Sequence, residues 1–227
     1  MEYRTVGRSG LRVSSICLGT AFRGAPDDSV CREVIHRALD AGINFIDTAN
    51  EYQRGRSERI VGEALRGRRD EVVLTTKVHS PTGTGPNDRG LSRLHILREV
   101  ENSLQRLQTD HVDVYFAHAV DADAPIDETL RAFDDLVRQG KVRYIGCSNF
   151  EAWRVCKGLW TSDQENLTSF SIVQDHYNLL DRRIERELVP LCRSEGVGMM
   201  TYSAQAVGLL TGRFRRGQPL PEGTLWA

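Results

Sequence analysis

The chain has 227 residues, 40% of them hydrophobic and 27% charged, with a formal net charge of −1. That balance is ordinary for a folded globular protein. It lacks the basic excess that marks nucleic-acid binding or an anionic membrane surface.

Residues 3–14 alternate around Gly7 and Gly10 and read as a β-hairpin lying across one end of a sheet. Residues 15–20, "SICLGT", are a short apolar strand. Residues 28–42 form an amphipathic helix whose stripe is Val30, Cys31, Val34, Ile35, Ala38 and Leu39, closed by Gly42. "NFID" (44–47) is the next strand, and 57–67 is a helix with Ser57 as its expected N-cap. Residues 71–78 are a strand, 91–108 a long amphipathic helix, and 111–118 a strand. A helix over 127–140 ends at Gly140, and a strand follows over 142–149. Residues 171–177 form a strand, 181–196 a helix and 197–203 a strand. The remaining tail, rich in Gly, Arg and Pro, reads as a loop.

This β–α alternation with near-continuous apolar strands predicts a parallel sheet covered by helices. Two parallel forms compete, a closed eight-stranded barrel and an open doubly wound sheet. No G-x-G-x-x-G follows the first strand, which counts against a dinucleotide-binding open sheet. No linker or low-complexity segment divides residues 1–227, so one domain is expected. The cysteines, Cys17, Cys31, Cys147, Cys156 and Cys192, are odd in number and without C-x-x-C spacing. They predict neither a disulfide frame nor a zinc site, and they fit a reducing, cytoplasmic compartment. No secretory h-region opens the chain and no apolar run is long enough to span a bilayer, so no membrane partner is expected.

The strand ends carry the chemistry. They hold Gly19 and Thr20, then Asp47, Lys77, His118, Ser148 with Asn149, Gln174, and Tyr202 with Ser203, while Tyr52 lies one short loop beyond Asp47. Each alone has an ordinary explanation: a carboxylate ends many strands, a lone histidine is commonly a satisfied core group, and a tyrosine packs with its hydroxyl wet. In a parallel barrel, however, all these ends open on one face. Burying a carboxylate, a lysine, a histidine and a tyrosine unpaired is costly, so they are expected to partner one another. Lysine is rare here, with only Lys77, Lys141 and Lys157. An ammonium near Tyr52 lowers a phenol pKa that starts near 10. Asp47 supplies the counter-charge, and His118 can donate a hydrogen bond to a carbonyl oxygen. The four predict a metal-free general acid for carbonyl reduction.

These residues sit in recognisable motifs: "NFIDTANEY", "GRSERIVGEALRGRRDEVVLTTKV", "DHVDVYFAH", "GKVRYIGCSNF" and "QDHYNLLDR". Over nearly its whole length the chain resembles the aldo-keto reductase family, and within it the bacterial oxidoreductases akin to potassium-channel β subunits. The resemblance implies a (β/α)8 TIM barrel with an N-terminal β-hairpin. It also implies NADPH as cofactor and an aldehyde or ketone as small-molecule substrate. The tetrad would be Asp47, Tyr52, Lys77 and His118, with Tyr52 the proton donor. Ser148, Asn149 and Gln174 would hold the nicotinamide carboxamide and Tyr202 would stack on its ring. Gly19, Thr20, Asp47 and Ser203 would border the cofactor. Two departures stand out: Gln53 follows the tyrosine where the family usually has glycine, and Tyr202-Ser203-Ala204-Gln205 replaces Tyr-Ser-Pro-Leu. About seven barrel strands are accounted for, so the barrel is expected to be incomplete, without its eighth βα unit. Its open edge offers a route to an oligomer. Two alternatives accompany the reductase reading, a shortened fragment of weak activity and a nicotinamide-binding partner module. Residues 80–90 and 120–126 are expected to border the substrate.

Overall fold

A computed structural model of the chain describes residues 1–24 and 27–223. The hairpin pairs β1 (Tyr3–Thr5) with β2 (Arg12–Ser14), antiparallel, with Tyr3 opposite Ser14 and Thr5 opposite Arg12. Then come β3 (Cys17–Gly19), α1 (Asp28–Asp40), β4 (Phe45–Asp47), α2 (Arg56–Ala64) and β5 (Val73–Val78). The middle of the chain adds α3 (Arg93–Leu107), β6 (Val112–Ala117), α4 (Ile126–Arg138) and β7 (Val142–Ser148). It closes with α5 (Ala152–Glu165), β8 (Phe170–His176), α6 (Leu188–Glu195) and β9 (Gly198–Tyr202).

The seven strands β3 to β9 form one parallel sheet in sequence order, with β3 and β9 at its edges. A doubly wound sheet reverses its strand order at a switch point, and this one does not. The sheet is also curled. Four strand steps separate β4 from β8, about 19 Å across a flat sheet. Yet Gln174 Nε2 on β8 reaches Asp47 Oδ1 on β4 at 3.1 Å. The fold is an incomplete (β/α)8 barrel of seven strands.

The alternation of the strands divides the apolar residues between two cores. Outward residues such as Ile46, Leu74, Val78, Tyr115, Ile145 and Val173 pack under the helices. Inward Phe45, Val73, Val114, Phe116 and Ile172 pack against Val6 and Val13 of the hairpin, which plugs the strand N-terminal end. The hairpin is fixed there by Tyr3 Oη donating to Gly42 O at 2.8 Å and Arg8 N donating to Gly196 O at 2.8 Å. Gly7, at φ +51°, must be glycine, because a Cβ would stand 2.4 Å from Gly196 O. With the hairpin packed into the strand N-terminal end of the barrel interior, the inward residues near the strand C-termini face the other end.

Local signals explain most helix ends. Asp27 caps α1 by accepting from Ser29 N at 2.7 Å, and Ser92 caps α3 by accepting from His95 N at 3.3 Å. Three expectations need correction. Ser57 is not the N-cap of α2; that position is Gly55, in a left-handed conformation, and Ser57 is buried inside the first turn. Its hydroxyl donates to Thr20 O at 2.6 Å, so it serves tertiary packing instead. The helix α5 has no counterpart among the expected elements, because Trp153, Cys156 and Trp160 lie exposed and blur its apolar stripe. Cys17, whose apolar neighbours in sequence lead one to expect a buried thiol as at Cys31 and Cys147, is only half-buried, while Cys31, Cys147 and Cys192 are buried. None of the described helices is long and apolar enough to cross a membrane.

Candidate active site

Inward positions near the strand C-termini bring the expected residues together. On β5, Thr75 and Lys77 face in while Leu74, Thr76 and Val78 face out. Lys77 is fully buried, and its Nζ donates to Asp47 Oδ2 at 2.6 Å, Thr48 O at 2.7 Å and Tyr52 Oη at 3.3 Å. An ammonium has three donors, and all three are used. His118, just past β6, lies edge-on to Tyr52 with ring centroids 6.0 Å apart. Its Nδ1 is 3.6 Å from Glu51 Oε1 without a hydrogen bond.

Burial and charge set the ionisation of these groups. Burial presses the Lys77 ammonium toward neutrality, but Asp47 and Tyr52 outweigh it and its pKa is raised. Tyr52 runs against the sequence expectation. Burial raises its pKa, and the opposing pull of Lys77 does not bring it below the ordinary value. Tyr52 therefore keeps its proton at neutral pH. For His118, burial and then the Lys77 charge lower the pKa to about 4, so its imidazole is neutral. A neutral ring can still donate one hydrogen bond.

The residues expected around a cofactor form a second arc. Ser148 and Gln174 are register partners on β7 and β8, both buried. Gln174 Nε2 is committed to Asp47, and Ser148 Oγ accepts from Asn149 Nδ2 at 3.0 Å. Neither the Ser148 hydroxyl hydrogen nor Gln174 Oε1 has a partner among the described residues. One donor and one acceptor thus stand side by side, a set that fits a primary carboxamide. Asn149 adopts φ +60°, donates to His118 O at 2.9 Å and accepts from Tyr202 Oη at 2.7 Å. The Tyr202 ring is part-exposed and stands edge-on to His176. Gly19 is exposed, and Ser203 follows β9 at φ +57°. Thr20 is fully buried, with N and Oγ1 both donating to Asp47 O at 2.9 Å, so it braces Asp47 from behind.

Sequence reasoning missed the supports. Thr75 Oγ1 donates to Asp47 Oδ1 at 2.5 Å. The two-residue spacing from Lys77 on an alternating strand was the available signal. Behind the sheet, Arg106 Nε bonds Glu58 Oε2 at 2.5 Å, and Glu58 Oε1 accepts from Thr76 Oγ1 at 2.6 Å. Glu99 Oε2 accepts from Asn50 Nδ2 at 3.0 Å, anchoring the loop that leads to Tyr52. No short-range pattern marks that network, since its members come from α2, α3, β5 and the β4–α2 loop.

Residues 80–90 and 120–126 face each other across a cavity of about 440 Å³ lined by His79, Asn87, Arg89, Asp121 and Asp123. Asp121 joins the two segments by accepting from Leu91 N at 2.7 Å. A larger cavity of about 750 Å³, lined by Arg8, Trp160, Phe170 and Gly196, contains none of the tetrad.

The curled parallel sheet thus gathers a carboxylate, a buried ammonium, a phenol and a neutral imidazole at its strand C-terminal end, the end at which parallel barrels carry their sites. The family model "Aldo/keto reductase family" matches residues 15–224, and the chain belongs to that family of oxidoreductases. An "Uncharacterized oxidoreductase YrpG" of Bacillus subtilis is 44% identical over 225 residues, covering 94% of this chain and 69% of the relative. A "Probable voltage-gated potassium channel subunit beta" of Oryza sativa is 39% identical, covering 96% of this chain and 68% of its own length. One of the same name from Arabidopsis thaliana is 37% identical with the same coverage.

Proposed function

We propose that the chain reduces an aldehyde or ketone to the alcohol with NADPH, Tyr52 giving the proton. The observation that carries this reading is the Tyr52 hydroxyl 3.3 Å from a fully buried Lys77 that is itself held at 2.6 Å by Asp47. A bound reduced nicotinamide supplies a hydride to the carbonyl carbon. The carbonyl oxygen then needs a proton, and Tyr52 holds one at neutral pH. Lys77 favours the phenolate left behind, since an adjacent ammonium stabilises it. The neutral His118 orients the carbonyl by donating a hydrogen bond. Ser148, Asn149 and Gln174 hold the carboxamide, with Gly19, Asp47, Tyr202 and Ser203 completing the cofactor side and Thr20 bracing Asp47 from behind.

The test is oxidation of NADPH across a panel of aldehydes and ketones, with cofactor binding followed separately by quenching of protein fluorescence. Tyr52→Phe is expected to lower kcat by about two to four orders of magnitude, with NADPH affinity unchanged. Wild-type turnover persisting in Tyr52→Phe removes Tyr52 from its role. The two plant relatives named as channel β subunits favour a second reading, a nicotinamide-responsive partner module. Saturable NADPH binding without turnover of any carbonyl would select it.

A further inference from the structure

We propose that Gln53 is the positioning residue for Tyr52, stapling the β4–α2 turn to the β3–α1 loop; the kinetic part of this proposal rests on Tyr52 being the acid. Gln53 Nε2 donates to Ala21 O at 2.8 Å and to Phe22 O at 2.7 Å. Its Oε1 accepts from Arg56 Nη1, and Arg56 Nε in turn bonds Asp28 Oδ1 at 2.7 Å, at the start of α1. Three of the four hydrogen-bonding positions of one amide are used across two loops.

The backbone shows that the side chain is what matters here. Gln53, Arg54 and Gly55 have φ of +51°, +56° and +81°, three successive left-handed residues directly after Tyr52. Phe22, at the other end of the staple, has φ +45°. Glycine adopts such angles without strain and glutamine does not. A glutamine at position 53 works against its own backbone, and what it gains are the two donated bonds and the one accepted from Arg56.

Those bonds close a ring. Asp47 O receives Thr20, the chain runs from Thr20 to Phe22, Gln53 links Ala21 and Phe22 to Tyr52, Tyr52 meets Lys77, and Lys77 returns to Asp47. Ser57 ties α2 to Thr20, but it lies beyond the left-handed turn. Asn50 ties the other side of Tyr52 to α3 through Glu99. Within the turn itself, Gln53 is the side chain that fixes the phenol relative to β3.

Two variants test this. Gln53→Gly removes the staple and relieves the backbone, so the fold is kept. Gln53→Glu keeps the size and the Arg56 contact but loses the donors and sets a carboxylate against two carbonyl oxygens. In both, the Tyr52 signal of isotope-labelled tyrosine Cζ, identified by its loss in Tyr52→Phe, is expected to shift. Amide exchange over 20–24 and 51–57 is expected to speed up. With a reducible carbonyl, kcat is expected to fall by on the order of tenfold to a hundredfold, the scale of a misplaced reacting group. KM is expected to hold within about twofold, and the solvent isotope effect on kcat to rise, because proton donation becomes slower. An unshifted Tyr52 signal, or faster exchange with unchanged kcat and isotope effect, overturns the proposal. If the wild type reduces no carbonyl, the reductase reading fails instead, and the Tyr52 signal alone decides whether Gln53 positions the phenol.

Discussion

Asp47→Asn is the substitution on which the charge reasoning stands or falls. Every side-chain neighbour of the carboxylate is a donor: Thr75 Oγ1 at 2.5 Å and Gln174 Nε2 at 3.1 Å on Oδ1, and Lys77 Nζ at 2.6 Å on Oδ2. An asparagine must turn its NH2 toward one set or the other. Facing Lys77, it opposes an ammonium that is fully buried and has lost its counter-charge. Facing Thr75 and Gln174, it strands two donors. Removing one partner of a buried ion pair costs about 3–5 kcal/mol. At about 2–4 °C per kcal/mol for a chain of this size, the melting temperature should fall by roughly 6–20 °C. The assay is thermal and urea denaturation of the wild type, Asp47→Asn, Lys77→Met and the double variant. The clash needs Lys77, so the double variant should recover part of the loss, with a coupling of about 2 kcal/mol or more. A melting temperature within about 2 °C of wild type, or single costs that simply add, would refute the reasoning.

Three further outcomes follow from the same geometry. The His118 pKa is lowered to about 4, so between its unfolded value near 6.5 and 4 the unfolded chain binds the extra proton. Stability is then full above pH 6.5 and falls as the pH drops toward 4. The loss is about 3 kcal/mol, and His118→Gln should flatten that limb of a pH series of urea melts. Arg106→Met leaves Glu58 and Glu99, both buried, without their cation, and should cost about 3–5 kcal/mol in urea unfolding. Gly62→Ala places a Cβ 2.5 Å from Leu107 O and 2.8 Å from Arg106 O, so α2 and α3 must part. The expected cost is about 1–3 kcal/mol, and a neutral substitution would show that the two helices separate freely.

The sequence reveals the frame because strand alternation and helix stripes are local. The seven parallel strands, the hairpin and the inward placement of Asp47, Lys77, His118, Ser148 and Gln174 are all periodic consequences of short segments. What escapes it is long-range or compensated. The Glu58–Arg106–Glu99 network joins residues whose partners are up to 49 positions apart. Ser57 looks like a cap because serine before an apolar stripe normally is one, yet the left-handed turn carries the helix start back to Gly55. The direction of the Tyr52 shift depends on how completely the phenol is buried against the reach of one ammonium, and no spacing rule contains that balance.

That balance also orders the site. Burial pushes the Lys77 pKa down, and Asp47 is the largest of the contacts that hold it up. The Lys77 charge in turn helps keep His118 neutral and works against the burial that raises the Tyr52 pKa. Across the neutral range one protonation pattern results: phenol, ammonium, neutral imidazole. On the proposed reading, the proton to be transferred lies on Tyr52, and Lys77 lowers the cost of releasing it. Dependence runs from Asp47 to Lys77 to Tyr52, so loss of Asp47 should disable the phenol without touching it. A residue that only tunes distance, as Gln53 is inferred to do, acts on the last and longest of these links, the 3.3 Å contact between Lys77 and Tyr52.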